Sequence, residues 1–245
     1  MVNEQGEFQV SQLADLFTVS AMTIRRDLDK LAKSGLIDRK HGAATPVNIL
    51  NSERAYADKM NYNSAEKLKL ASVAKKLIHP GDTVFLDAGT TTREIAMAIR
   101  SVPDLVVVTN DLKIASDLLD TNLKLIFCGG AIQNETGSAL GYMAEEMLTG
   151  LRVNVAFIGG SCIDEDFNLL TPTAEKASFK KKILEVCGKA YLVADATKFN
   201  SQSLFKITHL SHFTGVVTDK VFSDSELVSI ERQSIQLMTE WEEIS

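Results

Sequence analysis

The sequence predicts a small α+β winged helix-turn-helix followed by an α/β domain with a mostly parallel sheet. Three observations carry that class. Up to about residue 45 the chain holds short helical periods around a cluster of basic residues. After residue 63, continuous apolar runs alternate with helical segments, as strands covered on both faces and joined by helices should. Between the two, PVNILNSERAYADKMNYN is polar and weakly periodic, as a connector is. The boundaries that follow are 1–50 for the first unit, 51–63 for the linker and 64–245 for the second domain.

The first unit reads SQLADLFTVSAMTIRRDLDKLAKSGLIDRKHGAAT. Ser11 is expected to cap a short helix that turns Leu13, Leu16 and Phe17 inward. Thr18 and Val19 make a turn, and Ser20 caps a second helix. On that helix Ile24, Leu28 and Leu31 recur at i, i+4 and i+7 as one buried stripe, leaving Met22, Thr23, Arg25, Arg26 and Asp29 on the opposite face. Gly35 stops the helix. LIDRKHG then reads as a short strand that carries Arg39, Lys40 and His41 to a Gly turn, the build of a wing.

A unit of this kind enters a DNA major groove by the N-terminal end of its second helix. Arg25 and Arg26 suit bidentate base or phosphate contacts, while Arg39, Lys40 and His41 suit phosphates. A plain amphipathic helix with a solvated basic face is the alternative. The order of cap, turn, stripe and wing argues against it.

In the second domain the expected strands are TVFLDA, LVVVTN, LKLIFCGG, VNVAFIGG, AYLVADA and FTGVVTD. The expected helices span 64–78, 91–100, 111–119 and 174–187. Ligands bind beyond the carboxyl ends of such strands. Here those ends are Asp87-Ala88-Gly89-Thr90, Thr109-Asn110-Asp111, Gly129-Gly130, Gly159-Gly160 and Asp195-Ala196-Thr197-Lys198. Glycines let backbone approach a ligand, and Asp, Asn and Thr bind hydroxyls. In LDAGTTTREIA a strand hands over to a helix through small hydroxyl residues, which offers first-turn amides and the helix dipole to an anion. With Lys198, Thr90–Thr92 suit a phosphate, and the set fits a phosphorylated sugar better than a base or an apolar ligand. Ordinary turns after strands use the same residue types and are the bland alternative.

Composition narrows the classes. Apolar residues are 45% and charged residues 24% of 245, ordinary for a chain that buries a real core. No apolar run is long enough to cross a bilayer, and the polar start MVNEQGEFQV resembles no targeting peptide, so a cytoplasmic location is expected. Cys128, Cys162 and Cys187 are widely spaced and read as buried thiols; His209 and His212 lack partners at metal spacing, and no metal or cofactor is called for. The net charge of −6 conceals a local excess from Ala21 to His41, where six Lys/Arg face three Asp.

VSAMTIRRDLDKLAKSGLIDRKHGAA resembles the N-terminal signature of the DeoR family of bacterial transcriptional repressors. FLDAGTTTREIA, VVVTN, CGG, AFIGG, TPTAEKASFKK and LVADATKF resemble the successive blocks of that family's sensor domain. The resemblance implies a sensor related in fold to ribose-5-phosphate isomerase and the coenzyme A transferases, which binds a phosphorylated sugar and so alters operator binding. It implies DNA-reading roles for Ser20, Thr23, Arg25, Arg26, Arg39, Lys40 and His41. It implies effector-binding roles for Asp87, Gly89, Thr90, Thr91, Thr92, Asn110, Glu175, Lys180, Asp195 and Lys198.

Two departures stand out. The family usually begins with a helix of about ten residues or more, of which only MVN remains here, so the winged unit is expected to lack most of its first helix. A truncated regulator with impaired DNA binding is therefore one alternative. Ala43 also stands where the wing commonly has a second Gly, and it is expected to stiffen or re-aim the wing tip.

An enzyme, a sugar-phosphate isomerase, is the other alternative. It would need a carboxylate beside a Lys to move a proton between adjacent carbons. Asp164, Glu165 and Asp166 with Lys180 or Lys198 are the best offer, but they read as a solvated turn, and an enzyme has no use for Arg25 and Arg26. The expected protein is therefore not an enzyme. It is a homo-oligomer, a dimer or tetramer, whose partners are operator DNA and a phosphorylated sugar, with a fructose or tagatose phosphate the guess, and no membrane.

Overall fold

The computed structural model describes residues 8–33, 37–40, 43–46, 56–60 and 62–238. The chain opens with strand β1 (Phe8–Gln9), helix α1 (Val10–Phe17) and helix α2 (Ala21–Lys33), followed by the antiparallel hairpin of β2 (Ile37–Lys40) and β3 (Ala43–Pro46). Val10, Leu13, Ala14, Ile24, Leu28, Ile37 and Ala44 form its small core.

Four expectations change here. Gln9, not Ser11, sits at the start of α1, where its N–H donates to Gln12 Oε1 at 2.8 Å. Ser11 is therefore inside the helix. Leu16 and Phe17 are exposed, because the stripe runs through Val10, Leu13 and Ala14, and Thr18 ends the helix in the left-handed conformation at φ 55°. Leu31 is exposed near the end of α2, so the stripe there is Ile24 and Leu28. Ala43 is not a tip residue: it opens β3, the central strand of the three-stranded β1-β3-β2 sheet, where it pairs with Lys40 and Gln9 and is buried. Gly35 and His41 lie outside the described residues.

Helix α3 (Tyr56–Met60) falls in the connector stretch. After it, the chain runs α4 (Ser64–Lys76), β4 (Thr83–Leu86), α5 (Thr90–Ile99), β5 (Val106–Thr109), α6 (Leu112–Leu118) and β6 (Lys124–Phe127). A hairpin, β7 (Ala131–Gln133) and β8 (Ser138–Leu140), leads through α7 (Tyr142–Thr149) to β9 (Val153–Gly159). Then come β10 (Cys162–Ile163), β11 (Asn168–Thr171), α8 (Ala174–Val186), β12 (Cys187–Val193), β13 (Phe205–His209), β14 (Gly215–Val217), α9 (Asp224–Arg232) and β15 (Leu237–Met238).

Seven strands form one sheet in the order β15-β14-β12-β9-β4-β5-β6, and every pair in it is parallel. Alternate residues of each strand enter different cores, which is why the strands read as continuous apolar runs. Phe85, Val108, Ala156, Ile158, Leu192 and Val216 pack on one face beneath α7, α8 and α9. Val84, Leu86, Val107, Val155, Phe157, Val193 and Val217 pack on the other beneath α4, α5 and α6. Strand β12 starts three residues before the expected AYLVADA, because Cys187 and Lys189 extend its ladder along β9.

The order of strands reverses between β4 and β9: β4, β5 and β6 are laid down to one side, and β9, β12, β14 and β15 to the other. Connections that leave a parallel sheet in opposite directions open a crevice at that point, beyond the carboxyl ends of the two strands. A small antiparallel sheet, β10-β11-β13, is separate from the main one.

Candidate effector site

The crevice is a cavity of about 350 Å³ lined by residues from the ends of β4, β5, β9 and β12, from α3, α4, α5 and α8, and from the loops between them. At its floor β4 ends on Asp87, a buried residue whose N–H continues the ladder to Phe157 O at 3.1 Å. Asp87 Oδ2 accepts the Gly159 N–H at 3.1 Å and pairs with Lys180, whose ammonium also donates to Gly159 O at 2.9 Å. The carboxylate and the lysine thus join both strands of the switch point.

The loop that follows is held from behind. Ala88 N–H donates to Asn110 Oδ1 and Gly89 N–H to Asp111 Oδ2, each at 3.1 Å. Asn110 Nδ2 donates to Ala139 O at 3.1 Å. Asp111 Oδ1 meanwhile caps α6, accepting from Lys113 and Ile114 N–H at 2.8 and 3.2 Å. Burial pushes the Asp111 carboxyl up, against the amides that hold it down. Thr92 is buried and its hydroxyl donates to Gly89 O at 2.9 Å. What this loop turns toward the cavity is therefore the first turn of α5, Thr90 to Thr92, whose amides have no acceptor within a helix.

Charge on the walls is unbalanced. Lys59, Lys67, Lys176, Lys180 and Lys198 line the cavity, against the carboxylates of Asp87 and Asp195. Asp195 Oδ1 accepts from Thr197 N–H at 3.0 Å, from the Thr197 hydroxyl and from Asn63 Nδ2 at 3.2 Å. Its Oδ2 is buried with no hydrogen-bond partner among the described residues, and Lys198 Nζ stands 3.9 Å away. The arrangement can bind an anion through ammonium groups and helix amides, and a hydroxyl through Asp195 Oδ2.

Of the sequence-derived set, Asp87, Gly89, Thr90, Thr91, Thr92, Asn110, Lys180, Asp195 and Lys198 all line this one cavity. Asn110 does so with its amide already committed to the loop and to Ala139, which makes it a brace rather than an open contact. Glu175 does not line it: it is exposed at the first turn of α8, and the neighbouring Lys176 takes the inward position. Gly129-Gly130 also stand apart, beyond the edge strand β6, where a Cβ on Gly130 would meet Leu140 O at 2.5 Å. That glycine serves close packing.

Sequence reasoning passed over Tyr56, Lys59, Tyr62, Lys67 and Lys176. For two of them a signal existed. Lys67 recurs with Leu70, Ala71 and Ala74, and Lys176 with Phe179 and Ile183, so each lysine sits on the apolar stripe of its helix.

The acids proposed for an isomerase lie elsewhere. Asp164, Glu165 and Asp166 sit at the β10–β11 turn, outside the cavity lining, and Asp164 accepts from Asn168 N–H at 2.7 Å and Asn168 Nδ2 at 3.0 Å. Cys128 is fully buried and its thiol is pushed up to about 11 by that burial, while Cys162 lies on the cavity wall. Among the described residues no cluster of His, Cys, Asp and Glu is placed to hold a metal, and no helix is long and apolar enough to cross a membrane.

In the N-terminal unit, Ser20 Oγ accepts the Thr23 N–H at 3.1 Å and contacts the Thr23 hydroxyl at 2.9 Å, so the expected cap of α2 is present. Arg25 and Arg26 are exposed on the first turns of that helix. Arg39 and Lys40 fall on β2, in register with Ala44 and Ala43.

Comparison with known proteins matches residues 62–220 to the DeoR C terminal sensor domain and residues 1–49 to the DeoR-like helix-turn-helix domain. The chain belongs to the DeoR family. DeoR-family relatives run almost its full length. The uncharacterised HTH-type transcriptional regulator YgbI of Escherichia coli K12 is 34% identical over 97% of this chain and 93% of its own. The glycerol-3-phosphate regulon repressor of the same organism is 32% identical over 89% of this chain and 87% of its own. Among solved structures, eIF2B delta from Chaetomium thermophilum superposes with a TM-score of 0.50 at 16% identity, covering 66% of this chain and 58% of that one, a likeness of fold alone. DeoR membership makes the chain a transcriptional regulator with a helix-turn-helix unit, not an enzyme.

Proposed function

We propose that the switch-point cavity binds a phosphorylated sugar and that its occupancy weakens operator binding by the winged unit, so that the protein represses a carbohydrate-utilisation operon until the sugar phosphate accumulates. One observation carries this reading: five lysines and the first turn of α5 converge on a cavity that also presents the buried Asp87 and Asp195 carboxylates. A phosphate suits the first group and sugar hydroxyls suit the second. The relative named as a glycerol-3-phosphate regulon repressor supports a phosphorylated polyol as the class. A fructose or tagatose phosphate is the effector proposed, on the likeness of LDAGTTTREIA and TPTAEKASFKK to family members that govern ketose use. Ser20, Thr23, Arg25, Arg26, Arg39, Lys40 and His41 are the residues proposed to meet DNA, in a dimer or tetramer that sets paired winged units on repeated half-sites in the cytoplasm.

A thermal-shift panel of fructose and tagatose phosphates against the unphosphorylated sugars tests the cavity, since a ligand that binds the native state raises the midpoint by mass action. Two variants then separate the units. Lys198→Ala is expected to weaken sugar-phosphate binding about tenfold or more and to leave unliganded operator affinity intact. Arg25→Ala is expected to do the reverse, and equal losses in both assays would sink the assignment.

A further inference from the structure

Lys67 sits in α4 on the stripe that Leu70, Ala71 and Ala74 bury, and the side chain brings its ammonium to the cavity wall. There it donates to Tyr62 O at 2.6 Å and to Lys59 O. Both carbonyls belong to the stretch that leads from the winged unit into the sensor. Among the described residues the ammonium has no carboxylate at ion-pair distance. Asp195 and Glu94 attract it only from beyond ion-pair distance, so a buried cation whose hydrogen bonds go to neutral carbonyls is incompletely compensated. Burial, with Lys198 and Lys59 nearby, accordingly holds the Lys67 pKa below the usual lysine range.

The same stretch is tied to the second domain at other points, one of them the cavity residue Asp195. Lys113 Nζ lies 3.9 Å from the centroid of the buried Tyr56 ring, and Tyr56 N–H donates to Glu135 O at 3.1 Å. Arg93 reaches Met60 Sδ at 3.5 Å, and Asn63 reaches Asp195 at 3.2 Å. The Tyr56 hydroxyl, also on the cavity wall, is buried with no hydrogen-bond partner among the described residues.

We propose that Lys67 is a latch between effector and connector: its ammonium grips the Lys59 and Tyr62 carbonyls, and a phosphorylated ligand in the cavity competes for it and loosens the segment that leads to the winged unit. This rests on the cavity's taking a phosphorylated sugar. A phosphate dianion offers Lys67 the full opposite charge that two carbonyls do not. Once Lys67 turns to the phosphate, the two carbonyls lose their shared donor and residues 56–62 lose the tie that Lys67 makes between them and α4. The signal to the winged unit is then a loss of order in the connector.

Hydrogen exchange of residues 56–62 in the full chain tests this, with inorganic phosphate as the anion and chloride at equal ionic strength as the control. In the wild type, saturating phosphate is expected to speed exchange there at least about tenfold, the scale of losing hydrogen bonds to a charged group. Lys67→Met is expected to exchange that fast without phosphate and to respond no further when it is added. Lys67→Arg, which keeps the charge and the donors, is expected to retain both the protection and the response. If Lys67→Met fails to fold, the wild type and Lys67→Arg decide the matter. Phosphate that binds, by thermal shift, while the connector amides stay unchanged overturns the latch alone, as does a slow-exchanging Lys67→Met. Failure of phosphate to bind the wild type overturns the cavity reading and the latch with it.

Discussion

Asp87 and Lys180 place opposite charges where the sheet changes direction, with side chains only 3% and 7% exposed. At that depth the loss of one partner leaves the other charge uncompensated. Asp87→Asn or Lys180→Met alone is expected to cost about 3–5 kcal/mol, read as a fall in the urea midpoint. The double variant is expected to recover most of the loss; strictly additive losses would mean that the two charges do not meet. Both residues are legible in the sequence as ligand groups, because an acid at a strand end and a lysine within a helix match the family's blocks. Their neutralising one another is not legible, since it depends on α8 crossing beneath β4, some 93 positions away in sequence. Lys67 and Lys176 escape for a related reason. Lysine is read as a solvated residue by default, and only its place on an apolar stripe says otherwise.

At the scale of elements, six strands of the seven-stranded sheet were readable because the longer ones face two cores and so carry unbroken apolar runs, while the two-residue edge strand β15 was missed. The β10-β11-β13 sheet was not: β10 has two residues, and its partners are brought together by the tertiary fold. Helix α7 is hard to read because Tyr142 and Met143 are exposed, which blurs the apolar period. Helix α9 begins with a capping box in which Ser223 N–H donates to Glu226 Oε2 at 2.8 Å and Glu226 N–H to Ser223 Oγ at 3.4 Å. Lys220 adds an ion pair to Glu226 at 3.0 Å.

The Ser223 amide first, and then Lys220, hold the Glu226 carboxyl below its ordinary value of 4.5. The unfolded chain therefore takes up this proton first as the pH falls. The stabilisation is complete above that ordinary value and is lost as the pH drops through the lower folded one. Glu226→Gln is expected to cost about 0.5–1 kcal/mol at pH 7 and nothing once Glu226 is protonated in both states. Urea midpoints at neutral and acid pH check this, and a cost that persists in acid would contradict it.

Over the whole molecule, a net charge of −6 coexists with a local basic excess from Ala21 to His41, so DNA binding depends on a local field inside a repelling one. Operator affinity is accordingly expected to fall steeply with salt as phosphate contacts release counterions. If a sugar phosphate weakens operator binding, operator DNA must weaken sugar-phosphate binding by the same factor, and couplings of this kind run at about 5–150-fold. Calorimetry of the full chain with and without operator DNA measures that factor directly, and a ligand affinity indifferent to DNA would remove the coupling.

The connector supplies Tyr56, Lys59 and Tyr62 to the cavity wall. The stretch that joins reader to receiver is thus also part of the receiver. A fragment begun at Ser64 would lack that wall, and a chimera that grafts another reading head onto this receiver should be cut before Tyr56. The seam along which such proteins can exchange their heads lies upstream of the residues that a count of domains would assign to spare rope.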